Sequence, residues 1–215
     1  MLPFISELDA VVITVDYRLG PEFPDPAPVE DCYAALLWVD KNLASLGINE
    51  GKLLVAGSSA GGGLAAGVTL KARDEKGPKI CAQLLQCPML DDRLETLSSR
   101  QYVDEGTFSR GSAETGWNAL LGDRRGGQDV SVYAAPARET ELGGLPEAFI
   151  EVGSAEIFRD ENMRFAERIW ECGGKAELHV WAGGYHRFQA FAPTAKLSVA
   201  ADRTREEWVK RVLSD

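Results

Sequence analysis

The chain has 215 residues, with 23 lysines and arginines against 33 aspartates and glutamates, and a net charge of −10. Its hydrophobic share of 45% and charged share of 26% are those of an ordinary globular protein, which excludes a disordered chain, a coiled coil and a collagen. The acidic balance argues against nucleic acid and anionic membrane surfaces as partners, because both attract lysine and arginine. We expect one domain over residues 1–215.

The cysteines and histidines do not follow a metal-binding pattern. The four cysteines form no CxxC pair and no zinc spacing, so we expect free thiols and no bound metal. No apolar run approaches the roughly 20 residues of a membrane helix, and the N-terminus does not resemble a signal peptide. These observations predict a cytoplasmic protein without stable membrane insertion. The four cysteines are Cys32, Cys81, Cys87 and Cys172, and the two histidines are His179 and His186.

Short apolar runs alternate with helical periodicity along the chain. Such runs are typical of strands buried on both faces, and the alternation predicts an α/β fold with a mostly parallel, doubly wound sheet. In a sheet of this kind, ligands bind at the carboxyl ends of the strands. The predicted strands are residues 10–16, 52–57, 80–87, 148–153 and 176–181. The predicted helices are residues 29–46, 64–74, 161–170 and 194–213.

Residues 91–145 interrupt this alternation. Within them, residues 91–130 are polar and mixed, and only Trp117, Leu120 and Leu121 form a clear apolar group. We therefore expect a cap or excursion over the site. The last predicted helix carries enough apolar side chains to pack on the sheet, which we favour, or on a second copy, which leaves a homodimer open.

The sequence Gly57-Ser58-Ser59-Ala60-Gly61 lies between a predicted strand and a predicted helix. This G-x-S-x-G spacing is typical of a nucleophilic serine on a sharp turn, where small neighbours let strand and helix approach. We predict Ser59 as the nucleophile and the backbone N–H of Ala60 as an oxyanion donor. Two alternatives stay open, a flexible glycine-rich loop and Ser58 as the reactive serine.

A nucleophilic serine needs a base, and the base needs an orienting acid. On this architecture the three follow one another in the order serine, acid, histidine. His186 lies in a glycine-rich loop after the last predicted strand, and we predict it as the base. His179 lies inside that strand, so we expect it to be structural.

The orienting acid is expected just after the fourth predicted strand, where Glu156 stands. Asp91 or Asp92, after the third predicted strand, is the alternative, and chain order favours Glu156. Two further acids begin the next helix and have an ordinary role in complementing its dipole. They are Asp160 and Glu161.

Four stretches that include these residues resemble one known family, the hormone-sensitive-lipase-like group of α/β hydrolases. The resemblance implies an esterase or lipase that forms an acyl-enzyme on short to medium acyl esters without a cofactor. It implies the same roles for Ser59, Glu156 and His186, and a structural role for Asp16 and Arg18. The four stretches are VDYRLGPE at residues 15–22, GSSAGG at 57–62, GSAEIFRDE at 153–161 and GGYHRF at 183–188.

One departure from the family concerns its HGGG loop, which supplies a second oxyanion donor upstream of the first predicted strand. The printed sequence contains no such loop. We therefore expect a truncated or misannotated product or a remnant that needs a partner segment, with turnover lowered by about 100- to 1,000-fold. The strand that would separate residues 10–16 from residues 52–57 is also missing, which predicts a gap of about 10 Å or a collapse.

Two other functions stay open at this point. The chain could be a non-catalytic small-molecule binder on the same fold, or an inert fragment. Retention of His186 favours the enzyme over the binder, because binders of this kind often lose the histidine. Amidase, lactonase and transacylase reactions use the same three residues, and the sequence does not choose among them.

Overall fold

Four parallel strands form a single sheet in the order β1-β2-β3-β4. The structure is a computed structural model that describes residue 6 and residues 8–214. The strands are β1 (Leu54–Ser58), β2 (Ala82–Gln86), β3 (Glu147–Gly153) and β4 (Ala176–Trp181). The helices are α1 (Ala27–Lys41), α2 (Leu43–Leu46), α3 (Ala60–Asp74), α4 (Leu97–Gln101), α5 (Arg110–Leu121), α6 (Arg159–Glu171), α7 (Phe188–Phe191) and α8 (Lys196–Ser214).

Helices cover both faces of the sheet, which confirms the predicted α/β class. On one face, α3 and α6 pack on Leu85 and Ile150, and α1 packs in turn on α3. On the other face, α8 packs Trp208 on Phe149. The central strands β2 and β3 are therefore removed from water on both faces, as in other parallel sheets.

A buried carboxylate fastens α8 to the sheet. Glu151 of β3 accepts hydrogen bonds from Arg205 Nη1 of α8 at 2.6 Å and from Gln86 Nε2 at 2.8 Å. Its other oxygen accepts one from Trp181 Nε1 at 3.0 Å. Because both oxygens are engaged by donors, the buried charge is compensated, and the last helix packs on the sheet as we favoured.

The predicted strand at residues 10–16 is wrong. These residues are irregular in the structure, and Val11 and Ile13 are exposed. A strand needs a neighbour that pairs with its backbone, and the sheet of the described residues ends at β1. A strongly apolar run is therefore insufficient to form a strand where no ladder partner lies beside it.

Helix boundaries differ from the prediction at two places. The predicted helix at 29–46 is two helices, which meet at Asn42. Helix α3 begins at Ala60, so the glycines predicted as a turn form its first turn instead. A Cβ atom on Gly63 would lie 2.2 Å from Met89 O, and one on Gly62 would lie 2.9 Å from Pro88. These glycines therefore serve close packing.

Residues 91–145 fold into short helices with an apolar core of their own. Trp117 and Leu121 of α5 are buried with Ile157 and Phe158, which lie between β3 and α6. This part of the chain is thus packed against the loop that carries Glu156. In residues 8–214, no helix is long and apolar enough to cross a bilayer.

Candidate active site

Ser59 occupies a strained turn between β1 and α3. Its backbone has φ 58° and ψ −121°, a region that costs a residue with a side chain of order 1–3 kcal/mol. Three backbone hydrogen bonds hold the turn. Ser59 N donates to Gln86 O at 2.9 Å, and Ser59 O accepts from Met89 N at 3.1 Å and from Gly63 N at 3.0 Å. The half-buried hydroxyl is thereby placed at the carboxyl end of the sheet.

The glycine that precedes this turn permits the close approach of strand and helix. A Cβ atom on Gly57 would lie 2.0 Å from Gly61 O, and a clash with backbone cannot be relieved by rotating a side chain. The G-x-S-x-G spacing therefore reflects sterics at this turn, as its pattern predicted. The structure shows an ordered turn here rather than the alternative of a flexible loop.

His186 lies in the loop after β4, and its ring reaches Ser59. His186 Nε2 is 2.9 Å from Ser59 Oγ, although the two residues are 127 positions apart in the chain. The loop is held against the end of β3, where Ala155 N donates to Gly184 O at 2.9 Å. A Cβ atom on Gly153 would lie 2.1 Å from Gly184 O, so a glycine is needed for the two loops to touch.

Glu156 lies on the far side of the imidazole. Its Oε2 atom is 2.7 Å from His186 Nδ1, and its Oε1 atom accepts a hydrogen bond from Gly153 N at 3.2 Å. Glu156 is 2% exposed and His186 is 4% exposed, so water does not screen the contact between them. Hydroxyl, imidazole and carboxylate are thus in line, and an arrangement of this kind can pass a proton from the serine to the histidine.

Ala60 is the first residue of α3, a helix of 15 residues, and is exposed. The N–H groups in the first turn of a helix have no acceptor within that helix and lie at the positive end of its dipole. An anionic oxygen next to Ser59 would find such a donor at Ala60. This geometry supports the oxyanion role that we predicted for its N–H.

The alternative acids are engaged elsewhere. Asp91 binds Arg93 through two hydrogen bonds of 2.8 Å. Asp92 is fully buried and binds Arg138 at 2.6 Å and 2.9 Å. Neither carboxylate has a hydrogen bond to His186 among the described contacts, whereas Glu156 has one.

The remaining predicted residues also have structural partners. Asp160 Oδ2 accepts a hydrogen bond from Ser98 N at 2.8 Å. Glu161 is buried and accepts one from Leu90 N at 2.7 Å, and burial raises its pKa well above the ordinary range. His179 lies 3.0 Å from Glu177 and stacks on Trp181, which agrees with the structural role that we expected.

Three residues around the imidazole were not predicted. Phe108 lies against the ring with centroids 4.8 Å apart, and Phe158 meets it edge-on at 5.5 Å. Thr107 Oγ1 donates to His186 O at 2.9 Å. Two of the three belong to residues 91–145, whose irregular pattern carries no local signal for such contacts.

One thiol also lies at the site. Cys87 Sγ is 3.9 Å from Ser58 Oγ, so Ser58 faces this thiol. Desolvation, followed by the charge of Glu156, raises the pKa of the buried Cys87 thiol. A cavity of about 240 Å³ opens beside it, lined by Ser58, Gln86, Cys87, Arg187, Asp202 and Arg205 among others.

A line of serine, histidine and acid at the edge of a parallel α/β sheet resembles the arrangement in serine hydrolases, and known proteins share this fold. The α/β hydrolase fold family matches residues 3–190. The chain belongs to this family.

Individual relatives are esterases. The chain is 35% identical over 192 residues to esterase LipI of Mycobacterium tuberculosis, covering 87% of this chain and 59% of the relative. It is 30% identical over 191 residues to an arylesterase of Saccharolobus solfataricus, covering 89% of this chain and 62% of the relative. The chain therefore spans about three fifths of the length of these curated relatives.

Solved structures give the same result. A bacterial heroin esterase superposes with a TM-score of 0.89 at 42% identity, over 92% of this chain and 63% of that one. Esterase LipW from Mycobacterium marinum superposes with a TM-score of 0.93 at 34% identity, over 100% of this chain and 67% of that one. The fold predicted from the sequence is thus confirmed.

Proposed function

We propose that the chain hydrolyses carboxylic esters of short to medium acyl chains through an acyl-enzyme, with Ser59 as nucleophile, His186 as base and Glu156 as orienting acid. The observation that carries this proposal is the continuous line of hydrogen-bonding contacts, 2.9 Å from Ser59 to His186 and 2.7 Å from His186 to Glu156. The esterase relatives support the choice of ester substrates.

Acylation begins when Ser59 Oγ attacks the ester carbonyl carbon. The hydroxyl proton moves to His186 Nε2, and the carbonyl oxygen becomes an oxyanion that the N–H of Ala60 stabilises. Glu156 accepts a hydrogen bond from Nδ1, holds the ring in the tautomer with Nε2 free, and stabilises the imidazolium that forms. His186 then donates its proton to the departing alcohol, which leaves Ser59 acylated.

Deacylation repeats these steps with water. A water molecule gives a proton to His186 Nε2 as it attacks the acyl carbon, and Ser59 leaves with a proton returned from the ring. Because a binder needs no proton path, the complete triad favours a hydrolase over a non-catalytic binder. Residues 91–145 are proposed as the cover of this site, since Phe108 contacts the base.

We also propose a cytoplasmic location. All four cysteines are free, which supports a reducing compartment such as the cytoplasm. A homodimer through the outer face of α8 stays a prediction, and sedimentation of the purified chain checks it.

A direct test compares Ser59→Ala with its neighbour Ser58→Ala. Wild type should hydrolyse p-nitrophenyl acetate and react covalently with a fluorophosphonate. Ser59→Ala should lose the labelling and at least about 10⁴-fold in kcat, because the nucleophile is removed. Ser58→Ala should retain both, since this residue faces Cys87. Hydrolysis that survives in Ser59→Ala would overturn the proposed role.

A further inference from the structure

Cys87 gives the proposed site a third kind of metal-binding atom. The Cys87 sulfur, a carboxylate oxygen of Glu156 and a ring nitrogen of His186 all lie within 4.8 Å of one another. All three residues are buried, at 5%, 2% and 4% exposure. In the catalytic mechanism the thiol has no role, so its position beside the acid and the base is unexplained by ester hydrolysis.

The chemistry of these three atoms selects a class of ion. Sulfur, imidazole nitrogen and carboxylate oxygen are the ligands of Zn²⁺, and soft thiolate ligands favour zinc over magnesium or calcium. Three protein ligands with an open fourth position suffice for a tetrahedral zinc ion. Cd²⁺ is a chemically similar ion with a stronger preference for sulfur.

Two cavities lie beside Cys87. A small cavity of about 10 Å³ is lined by Cys87 and Glu156, and such a volume holds about one water molecule or ion. The larger cavity of about 240 Å³ shares Cys87, Gln86 and Arg187 with the small one. Cys87 thus lines both cavities, and Glu156 lines the small one.

We propose that a soft divalent cation such as Zn²⁺ or Cd²⁺ binds between Cys87, Glu156 and His186 and arrests the triad. The inhibitory part of this inference rests on the proposed esterase function, whereas the binding part does not. The ion takes the place of the proton between Glu156 and Nδ1 of His186. The thiol loses its proton on binding, as thiol ligands do.

The geometry allows this with small movements. Ligands of a tetrahedral zinc ion lie about 3.4–3.6 Å apart, from metal–ligand bonds of about 2.0–2.3 Å. The 2.7 Å contact between Glu156 and His186 must open by less than about 1 Å, and the atoms within 4.8 Å must close by about 1 Å. A neutral imidazole that binds a metal through Nδ1 carries its one proton on Nε2 instead, so Nε2 has no free lone pair for the Ser59 proton and proton transfer stops.

The test uses a chain in which Cys87 is the only cysteine, made by Cys32→Ala, Cys81→Ala and Cys172→Ala. Ester hydrolysis is measured against increasing CdCl₂, ZnCl₂ and, as a control, MgCl₂. Cadmium and zinc should inhibit and magnesium should not, since magnesium prefers oxygen ligands. Relative to each variant's own metal-free rate, adding Cys87→Ala or Cys87→Ser should raise the half-inhibitory concentration of cadmium by more than about 10-fold, because loss of even an outer-shell partner costs about 10- to 100-fold in metal affinity.

Binding is measured separately by the ultraviolet charge-transfer absorption of a cadmium–thiolate bond. The band should appear with CdCl₂ in the Cys87-only chain and be absent after Cys87→Ser, which keeps the volume of the side chain. If the chain has no esterase activity but the band follows Cys87, the proposed function fails and the metal site stands. Cadmium inhibition that is unchanged by both Cys87 variants, or a band that persists in them, would overturn the inference.

Discussion

Two buried carboxylates, Glu156 and Asp92, follow strands of the same sheet and have opposite surroundings. Asp92 accepts both donors of the Arg138 guanidinium and also Gly126 N at 2.7 Å. Glu156 accepts a single backbone N–H and faces an imidazole at 2.7 Å. The first is an ion pair with a permanent cation, and the second is paired with a ring that can gain and lose a proton.

This difference separates a carboxylate that holds the fold from one that serves chemistry in the proposed mechanism. An arginine stays charged at any physiological pH, so the Asp92 pair is fixed and joins the beginning of residues 91–145 to their end, where Arg138 lies. An imidazole nitrogen can accept a proton, so in the proposed mechanism the Glu156 pair responds to the proton that arrives from Ser59. Burial alone does not separate the two, because both side chains are removed from water.

Among the changes that separate the two carboxylates, the largest effect on kcat is expected from Glu156→Gln. The amide keeps the size of the side chain but cannot hold the Nδ1–H tautomer of His186, and kcat should fall by about 10⁴-fold. Steady-state hydrolysis of a chromogenic ester checks this, with circular dichroism as a control for folding. A variant with near-normal kcat would make Glu156 a structural residue like Asp92.

The converse substitution, Asp92→Asn, should act on stability. It leaves the Arg138 guanidinium without its buried counter-charge, and the free energy of unfolding should fall by about 3–5 kcal/mol. Urea denaturation followed by tryptophan fluorescence measures the loss. At a temperature where the variant is folded, its kcat should stay within about 10-fold of wild type, since Asp92 does not touch the triad. A larger loss of kcat without loss of stability would contradict the comparison.

A smaller effect is expected from Phe108→Leu, which removes the ring that lies 4.8 Å from His186. Phe108 is a positioning residue, and an aromatic contact of this kind contributes about 0.5–1.5 kcal/mol, so kcat should fall by about 3- to 10-fold. Phe108→Tyr keeps the ring and serves as the matched control. Recovery of kcat in Phe108→Tyr, with KM unchanged in both, distinguishes positioning of the base from a general loss of packing.

The smallest effect is a pH dependence carried by Asp92. Burial acts to raise its pKa, but hydrogen bonds from Arg138 and Gly126 outweigh burial, and the pKa lies below its ordinary value of 3.8. A depressed pKa contributes stability above that value, and the contribution is lost as pH falls through the folded-state pKa. Wild type should therefore lose unfolding free energy more steeply below pH 3.8 than Asp92→Asn does. Parallel acid denaturation curves would show that the pair does not act in this way.

Several features of the site could be predicted from the sequence because their signals are local. The spacing around Ser59 follows from the sterics of one sharp turn, and Glu156 and His186 each stand just after a predicted strand. Parallel strands bring their carboxyl ends to one edge, so three residues far apart in the chain were expected to meet there. The structure brings all three into hydrogen-bonding contact.

Other features had no local signal. The run at 10–16 has the composition of a strand, yet strand formation depends on a neighbouring backbone, which composition does not report. Likewise, Gly62 and Gly63 read as a turn but lie in the first turn of α3. Glycine is needed at both positions because Pro88 and Met89 approach them closely. Phe108 lies in a segment without periodicity, so its contact with His186 was not predictable.

The sequence by itself determined the class of fold, the strained serine and the order of the three reactive side chains, since strand patterns, turn sterics and chain order are properties of consecutive residues. Only the tertiary structure decided which carboxylate faces the imidazole, which aromatic ring supports it and which thiol lies behind it. Those choices depend on residues far apart in the chain, such as Glu156 and His186, which are 30 positions apart. Such contacts are set by how loops pack on the sheet, and a single loop residue such as Phe108 leaves no periodic pattern in the sequence.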